Sequence, residues 1–347
     1  MSGGDSGGSG DERIAVRRAT HDDYDAVAAM VSDLWADRGG DYIPRVYHEW
    51  LEDEGDETKK TFVAEVDGAV AGIVQGVLLS DDEVWFQGMR VAPQHRRLGV
   101  SRRLNEACFA WARDRGATVG RIMVFSWNTA GLGAARGGGY EPVTEFRWAH
   151  PEPNADADAD AGPGSVVDGG DSDAYAVANA PAAAWRYWTH SEARAHLDGL
   201  GLAPEETWAV RELTRADFDR FADETAVFAV EGDSGLVGAA CRTRTYERSA
   251  DDGGEGESEG REHSDGESTA TETWAEYGVG AWEDVGAARA LFAAIARDAA
   301  VLGADRTRVL IPETVGIVSD ASYAGAAVSE EPDFVLGIDL AASANAP

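Results

Sequence analysis

MRVAPQHRRLGVSRRL, residues 89–104, reads as the end of a strand, a short basic loop and the start of a helix. Pro93 stops the strand, and an apolar stripe through Leu104, Cys108 and Trp111 runs on to a helix stop at Gly116. The first backbone N–H groups of a helix have no intrahelical partner, and the helix dipole adds partial positive charge there. A loop that presents them beside Arg96, Arg97, Arg102 and Arg103 can hold a diphosphate. Gly99 lets phosphate oxygens approach the main chain. A basic helix face paired with neighbouring acids is the plainer alternative.

Outward from this stretch the chain alternates strands and helices. On its N-terminal side IAVRRAT alternates like a strand, and HDDYDAVAAMVSDLWAD is spaced as an amphipathic helix begun by Asp22 or Asp23. TFVAEVDGAVAGIVQGVLL is a hairpin about Asp67-Gly68, and EVWFQGMRVAP is the next strand. On the C-terminal side RIMVFSW is a buried-type strand and GYEPVTEFRWAH one or two more. The order then repeats: WAVRELTRADFDRF, AVFAVEGDSGLVGAACRT, TWAEYGVG, DVGAARALFAAIARDAAVLGA and TRVLIP. FAWARDRGATVGRIMV and FAAIARDAAVLGADRTRVLIP resemble each other directly, which indicates an internal duplication. The expected layout is a flexible tail over 1–12, a first domain over 13–150 and an acidic Pro/Gly linker over 151–180. A bridging helix over 181–204 and a second domain over 205–343 follow, the latter interrupted by a disordered acidic insertion over 247–272.

Composition narrows the function. The 347 residues carry 63 acidic and 30 basic side chains, a formal charge of −33, which opposes binding to nucleic acid or anionic lipid. Lys59 and Lys60 are the only lysines; this acid-rich, lysine-poor composition resembles that of proteins from salt-loving archaea. At such salt the Debye length is a few ångström or less, about 3 Å at 1 M, so acidic patches are background rather than cation sites. Two cysteines, Cys108 and Cys241, make no disulfide framework, and neither a signal peptide nor a long apolar span is evident. A cytoplasmic protein is expected. The seven His are scattered without ligand spacing, so no metal site is expected. AGLGAARGGG mimics a dinucleotide fingerprint, but too few residues follow for its crossover helix.

Val91-Ala92-Pro93 followed by Arg96-Arg97-Leu98-Gly99-Val100-Ser101 resembles the acetyl-coenzyme A signature of the GNAT N-acetyltransferase superfamily, with Ser in place of the usual last Gly or Ala. Asn128 after the next strand and Gly139-Tyr140 beyond it fit the same pattern. The resemblance implies an α/β fold with a splayed mixed sheet, the GNAT acyl-CoA N-acyltransferase fold, in two tandem copies. It implies acetyl-CoA as co-substrate and a small-molecule or peptide amine as acceptor, with no nucleic-acid or membrane partner. Main chain at Met89, Arg90 and Val91 would take the pantetheine arm, residues Arg96 to Arg102 the diphosphate, and Asn128 the arm again.

The proton donor usual in the family falls at Ala135, so Tyr140 is the candidate acid, although a core role suits it equally; Glu83, on the parity of Trp85, Gln87 and Met89, is the candidate base. Trp35, Tyr42, Tyr47, His48 and Trp50 could line the acceptor pocket or form a core stripe. In the second copy GVGAWEDVGAARAL places Glu283 and Asp284 where phosphate would lie, and Pro312 stands near the counterpart of Asn128, so that copy should not bind coenzyme A. A non-catalytic acyl-CoA-binding protein, or an acyltransferase with another donor or acceptor, are the alternatives.

Overall fold

The computed structural model describes residues 13–35, 40–52, 58–157, 175–249 and 271–341. The expected tail over 1–12, most of the linker and nearly all of the acidic insertion lie outside them. The chain divides into two compact units. Unit 1 holds residues 1–123, 130–141 and 336–347, and unit 2 holds 124–129 and 142–335.

In unit 1, β1 (Ile14–Arg18) leads through a 3-10 turn to α1 (Tyr24–Val31), α2 (Ile43–Val46) and α3 (Glu49–Glu52). Then come β2 (Lys59–Val66), β3 (Ala69–Leu78), β4 (Glu83–Val91), α4 (Val100–Arg113), β5 (Val119–Phe125) and α5 (Thr129–Gly137). Strands β1 to β4 pair antiparallel in order, and β5 joins β4 in parallel. The β2–β3 turn has positive φ at Asp67 and Gly68, as a tight right-twisted hairpin needs. Val100, Leu104, Cys108 and Trp111 of α4 are buried, as their stripe predicts. The start of α1 is set by Thr20 rather than by an aspartate alone. The Thr20 main-chain N–H and hydroxyl both donate to Asp23, which also receives Arg17 at 2.6 Å.

Unit 2 contains β6 (Glu141–His150), β7 (Ala176–Ala178), α6 (Pro181–His190), α7 (Glu192–His196), β8 (Leu200–Leu202), β9 (Val210–Glu212) and α8 (Arg215–Glu224). It continues with β10 (Ala226–Gly232), β11 (Gly235–Ser249), β12 (Thr271–Trp282), α9 (Val285–Val301), β13 (Arg306–Pro312), α10 (Val315–Tyr323) and β14 (Ala327–Val328); the last strand, β15 (Asp333–Asp339), begins in unit 2 and counts with unit 1 from Leu336. The strand order β6-β13-β12-β11-β10-β7 has parallel pairing between β12 and β13. The alanine-rich α9 is buried along ten positions against this sheet.

Two sequence expectations differ from the fold. The single helix expected over 181–204 is α6 and α7, broken at Ser191, whose hydroxyl caps the Arg194 N–H at 3.1 Å, and is followed by the strand β8. Strand 142–150 counts with unit 2, whereas residues 336–341 close unit 1: Leu340 is fully buried and its N–H donates to the Thr118 carbonyl at 2.8 Å. Pairing between segments this far apart leaves no local sequence mark.

Candidate active site

Strand β4 sets the geometry of unit 1. It pairs with β5 only from Glu83–Trp85 against Val119–Arg121, while its pairing with β3 continues to Val91. From Phe86 onward the edge of β4 is therefore released from β5, and its main-chain groups are open to an extended partner. A bulge interrupts the same length: Gly88 and Met89 together oppose Val74. Gly88 has φ +67°, and a Cβ there would stand 2.5 Å from Trp50 Cη2, so only glycine fits. Met89, Arg90 and Val91 are half-buried.

The loop beyond β4 turns through a short 3-10 segment, Pro93–His95, and meets α4 at Gly99. Arg97 and Gly99 both have positive φ, +63° and +93°. Alternation of this kind gathers successive N–H groups into an anion-binding hollow. Gly99 is the N-cap and brings no side chain to it; the first N–H bonded to its carbonyl is that of Arg103. The N–H groups of Val100, Ser101 and Arg102 thus stay outside the helical ladder. A Cβ on Gly99 would meet nothing nearer than Arg102 Nη2 at 3.9 Å, which leaves the space over the helix mouth open. Arg102 and Arg103 pair with Glu106, each at 3.3 Å. Arg96 and Arg97 are exposed and, among the described residues, have no acidic partner. Leu98 is exposed at the tip.

The remaining expected residues are placed as follows. Asn128 follows β5, donates its N–H to the Phe125 carbonyl at 2.9 Å, and counts with unit 2. Glu83 is buried at the β5-paired end of β4, and its carboxylate is held by Arg121 at 2.8 Å. Tyr140 is packed between Phe86 and Phe109, and burial pushes its hydroxyl well above the ordinary phenol range. Both candidate proton carriers therefore sit in structural surroundings, Glu83 in an ion pair and Tyr140 in the core. Ala135 is buried near the end of α5.

The five aromatic and histidine candidates divide as well. Tyr47 and Trp50 belong to the core, with the Tyr47 hydroxyl donating to the Thr20 carbonyl at 2.7 Å. His48 stacks on Tyr24 and shares a hydrogen bond with His21 at 2.9 Å. Trp35 and Tyr42 flank the Arg90 guanidinium, 4.2 and 5.6 Å from its carbon. Sequence reasoning missed the partner of Arg90: Asp41 receives its Nε at 2.5 Å and also caps the Ile43 N–H. The only sequence signal for Asp41 is its position just ahead of a Pro-containing helix start. Among the described residues no group of three His, Cys, Asp or Glu side chains could hold a metal ion.

In unit 2 the corresponding place is built differently. Strand β12 carries its own bulge at Gly278, which places Ala281 where β4 has Val91. Seven residues separate Val91 from Gly99, but two separate Ala281 from Asp284, the N-cap of α9. The Asp284 carboxylate accepts the Ala287 N–H at 2.8 Å and the Tyr175 hydroxyl at 3.0 Å. The Tyr175 ring occupies the space above Gly286, where a Cβ would lie 2.5–2.7 Å from it. That helix mouth is filled by the protein itself.

A bulged strand that parts from its parallel neighbour, with an uncapped helix mouth just beyond, is the architecture of acyl-CoA N-acyltransferases. Residues 27–136 match the model of the acetyltransferase (GNAT) family. The whole chain shares its fold with a GCN5-related N-acetyltransferase from Sphaerobacter thermophilus, at 13% identity and a TM-score of 0.55 over 95% of this chain and 96% of that one. Partial matches include the Salmonella typhimurium protein yncA, solved with its cofactor acetyl-CoA (21% identity, TM-score 0.32, 39% of this chain and 83% of that one). Another is the ribosomal-protein-S18-alanine N-acetyltransferase of Escherichia coli (18% identity, TM-score 0.34, 41% and 86%). No curated protein sequence matches the chain significantly.

Proposed function

We propose that unit 1 binds acetyl-CoA and transfers its acetyl group directly to an amine. The observation that carries this reading is the helix mouth at Gly99: left-handed, uncapped, open above, and flanked by two arginines with no acidic partner among the described residues, in a chain of charge −33. Arg96, Arg97 and the N–H groups of Val100 to Arg102 would hold the diphosphate, and the free edge of β4 near Met89 and Val91 the pantetheine amides. In the transfer a neutral amine attacks the thioester carbonyl, a C–N bond forms, the C–S bond breaks, and the proton released by nitrogen ends on the thiolate. A thiol has a pKa of about 8.5, so water can protonate it and no dedicated acid is required.

Unit 2 we read as a second, degenerate copy that does not bind coenzyme A. Its shortened loop and the Asp284–Tyr175 filling support this. The duplication itself is supported by a shared device: Arg17, Thr20 and Asp23 recur at the same spacing as Arg211, Thr214 and Asp217, with the same bonds from threonine N–H and hydroxyl to aspartate. Two buried cysteines, no helix among the described residues able to cross a membrane, and the acid-rich composition are compatible with a salt-adapted cytoplasmic protein.

A second reading, binding without catalysis, is favoured by Ala135 at the usual acid position and by the burial of Tyr140. Mass spectrometry of ligands retained on purification, followed by titration with acetyl-CoA in concentrated salt, tests the first step. One coenzyme A site per chain is expected, and no binding would refute both readings. Thiol release with an amine present decides between them.

A further inference from the structure

Gln75 and Gln87 are cross-strand partners on β3 and β4. Gln75 is fully buried, Thr61 beside it nearly so, and Gln87 half-buried. The Gln75 Nε2 donates to the Trp50 carbonyl at 3.3 Å and to the Thr61 hydroxyl at 3.0 Å. A main-chain carbonyl only accepts, so this amide has a single orientation and its Oε1 faces Gln87. Gln87 Nε2 donates to that oxygen at 2.7 Å. The second amide is therefore fixed in turn, with its own Oε1 at the corner away from the relay. Among the described residues this oxygen has no hydrogen-bond partner. Gln87 directly precedes the Gly88–Met89 bulge, on the length of β4 that β5 has left.

Resting on the acetyl-transfer reading, we propose that Gln87 Oε1 accepts an N–H of the acceptor amine and so orients the attacking nitrogen, with Gln75 as the residue that positions it. One N–H is held by the amide oxygen, the nitrogen lone pair is left for the carbonyl carbon, and the other N–H supplies the proton that ends on the thiolate. An amide oxygen does not remove a proton from an ammonium group. The acceptor must therefore arrive neutral, which selects weakly basic primary amines at neutral pH and strongly basic ones only in alkali.

The test uses the full chain in concentrated salt, with acetyl-CoA as donor and hydroxylamine, a small amine largely unprotonated at neutral pH, as acceptor. For Gln87→Leu, the rate constant kcat/KM for hydroxylamine falls about tenfold, the loss of one well-oriented hydrogen bond. The KM for acetyl-CoA stays within twofold of wild type. Gln75→Leu, which frees Gln87 to turn, gives a smaller fall with the same split. The half-buried Gln87 site keeps the first variant folded, and a thermal melt verifies it. With benzylamine the wild-type rate rises with pH in step with deprotonation of the amine. Transfer by Gln87→Leu at the wild-type rate overturns the proposal. So does a wild-type protein that binds acetyl-CoA but gives hydroxylamine no acceleration over the uncatalysed reaction. Failure of the wild-type protein to bind acetyl-CoA at all sinks the underlying reading instead.

Discussion

Replacing Gly99 by glutamate separates the proposed phosphate-binding role of the helix mouth from its role in folding. The residue has φ +93° and ψ 6°, and a Cβ there finds open space, with Arg102 Nη2 the nearest atom at 3.9 Å. The folding cost is then the left-handed strain alone, about 1–2 kcal/mol, and it is the same for alanine as for glutamate. For a unit of this size each kcal/mol lowers the thermal midpoint by about 2–4 °C, so both variants melt a few degrees below wild type and close to each other. Binding differs. A carboxylate placed about 6 Å from a phosphate charge repels it by about 3 kcal/mol at an effective dielectric constant of about 20. It also competes for the N–H groups of Val100 to Arg102, as Asp284 competes for those of α9. Calorimetric titration with coenzyme A should show Gly99→Glu weaker than Gly99→Ala by at least about 100-fold at moderate salt. The gap narrows at 1 M salt, where the Debye length is about 3 Å. Equal affinities for the two variants would show that no phosphate lies over this turn.

Four further outcomes are expected of this structure. Arg17 holds the Asp23 carboxyl below its ordinary range; burial alone would push Asp217 up, but Arg211 and Thr214 outweigh it and it too is lowered. A lowered carboxylate stabilises the fold above its unfolded pKa of about 3.9 and loses that contribution as pH falls through the folded value. Asp23→Asn and Asp217→Asn should therefore lower the denaturant midpoint at pH 7, with the difference from wild type shrinking progressively as pH falls from about 4 through the lowered folded values. Gly88→Ala puts a methyl 2.5 Å from Trp50 at a left-handed position and should destabilise by about 3 kcal/mol, part of it recovered by adding Trp50→Leu, as urea melts would measure. Burial pushes both thiols up, Cys241 to about 12, so neither cysteine should react with a disulfide reagent at pH 8 until the protein is unfolded. Asp284→Ala should cost about 1 kcal/mol of stability and leave the coenzyme A stoichiometry at one per chain; a second site appearing would refute the degenerate-copy reading.

The legible part of the fold is the part written in local patterns. Alternation marked β1, the Asp67-Gly68 pair marked the β2–β3 hairpin, an apolar run marked β5 and the apolar stripe marked α4, because each of these needs only a few neighbouring residues. The strand end, loop and helix start of the candidate phosphate loop were legible for the same reason, as they lie within sixteen consecutive residues. What was illegible depends on register. Gln87 faces Gln75 through the register set at the β3–β4 turn, whereas a bulge just beyond it shifts Arg90 and Val91 by one residue, and a sequence does not announce a bulge at one glycine among 41. Asp41 lies 49 residues from Arg90, and residues 336–341 lie far from the strand they complete, so both pairings exist only after folding. Glu83 shows the cost of parity without register. Its face was read from alternation, but its place at the paired end of β4, next to Arg121, was not.

The two units differ in which of their shared features serve folding and which serve binding. In Arg17-Thr20-Asp23 and Arg211-Thr214-Asp217 the aspartate accepts the threonine N–H at a helix start, and both units keep this device. The helix after the bulged strand meets the same requirement in opposite ways. In unit 2 Asp284 caps α9 and Tyr175 covers it, which stabilises the helix and closes it to anions. In unit 1 Gly99 leaves α4 without a side-chain cap, at a cost of about a few tenths of a kcal/mol relative to a capping residue. A helix start left unsatisfied and open, within a chain that caps its counterpart, has a physical rationale only if something else supplies the oxygens. On the acetyl-transfer reading the adjacent Arg96 and Arg97 favour an anionic supplier, and a diphosphate would meet both the open N–H groups and the two guanidinium charges.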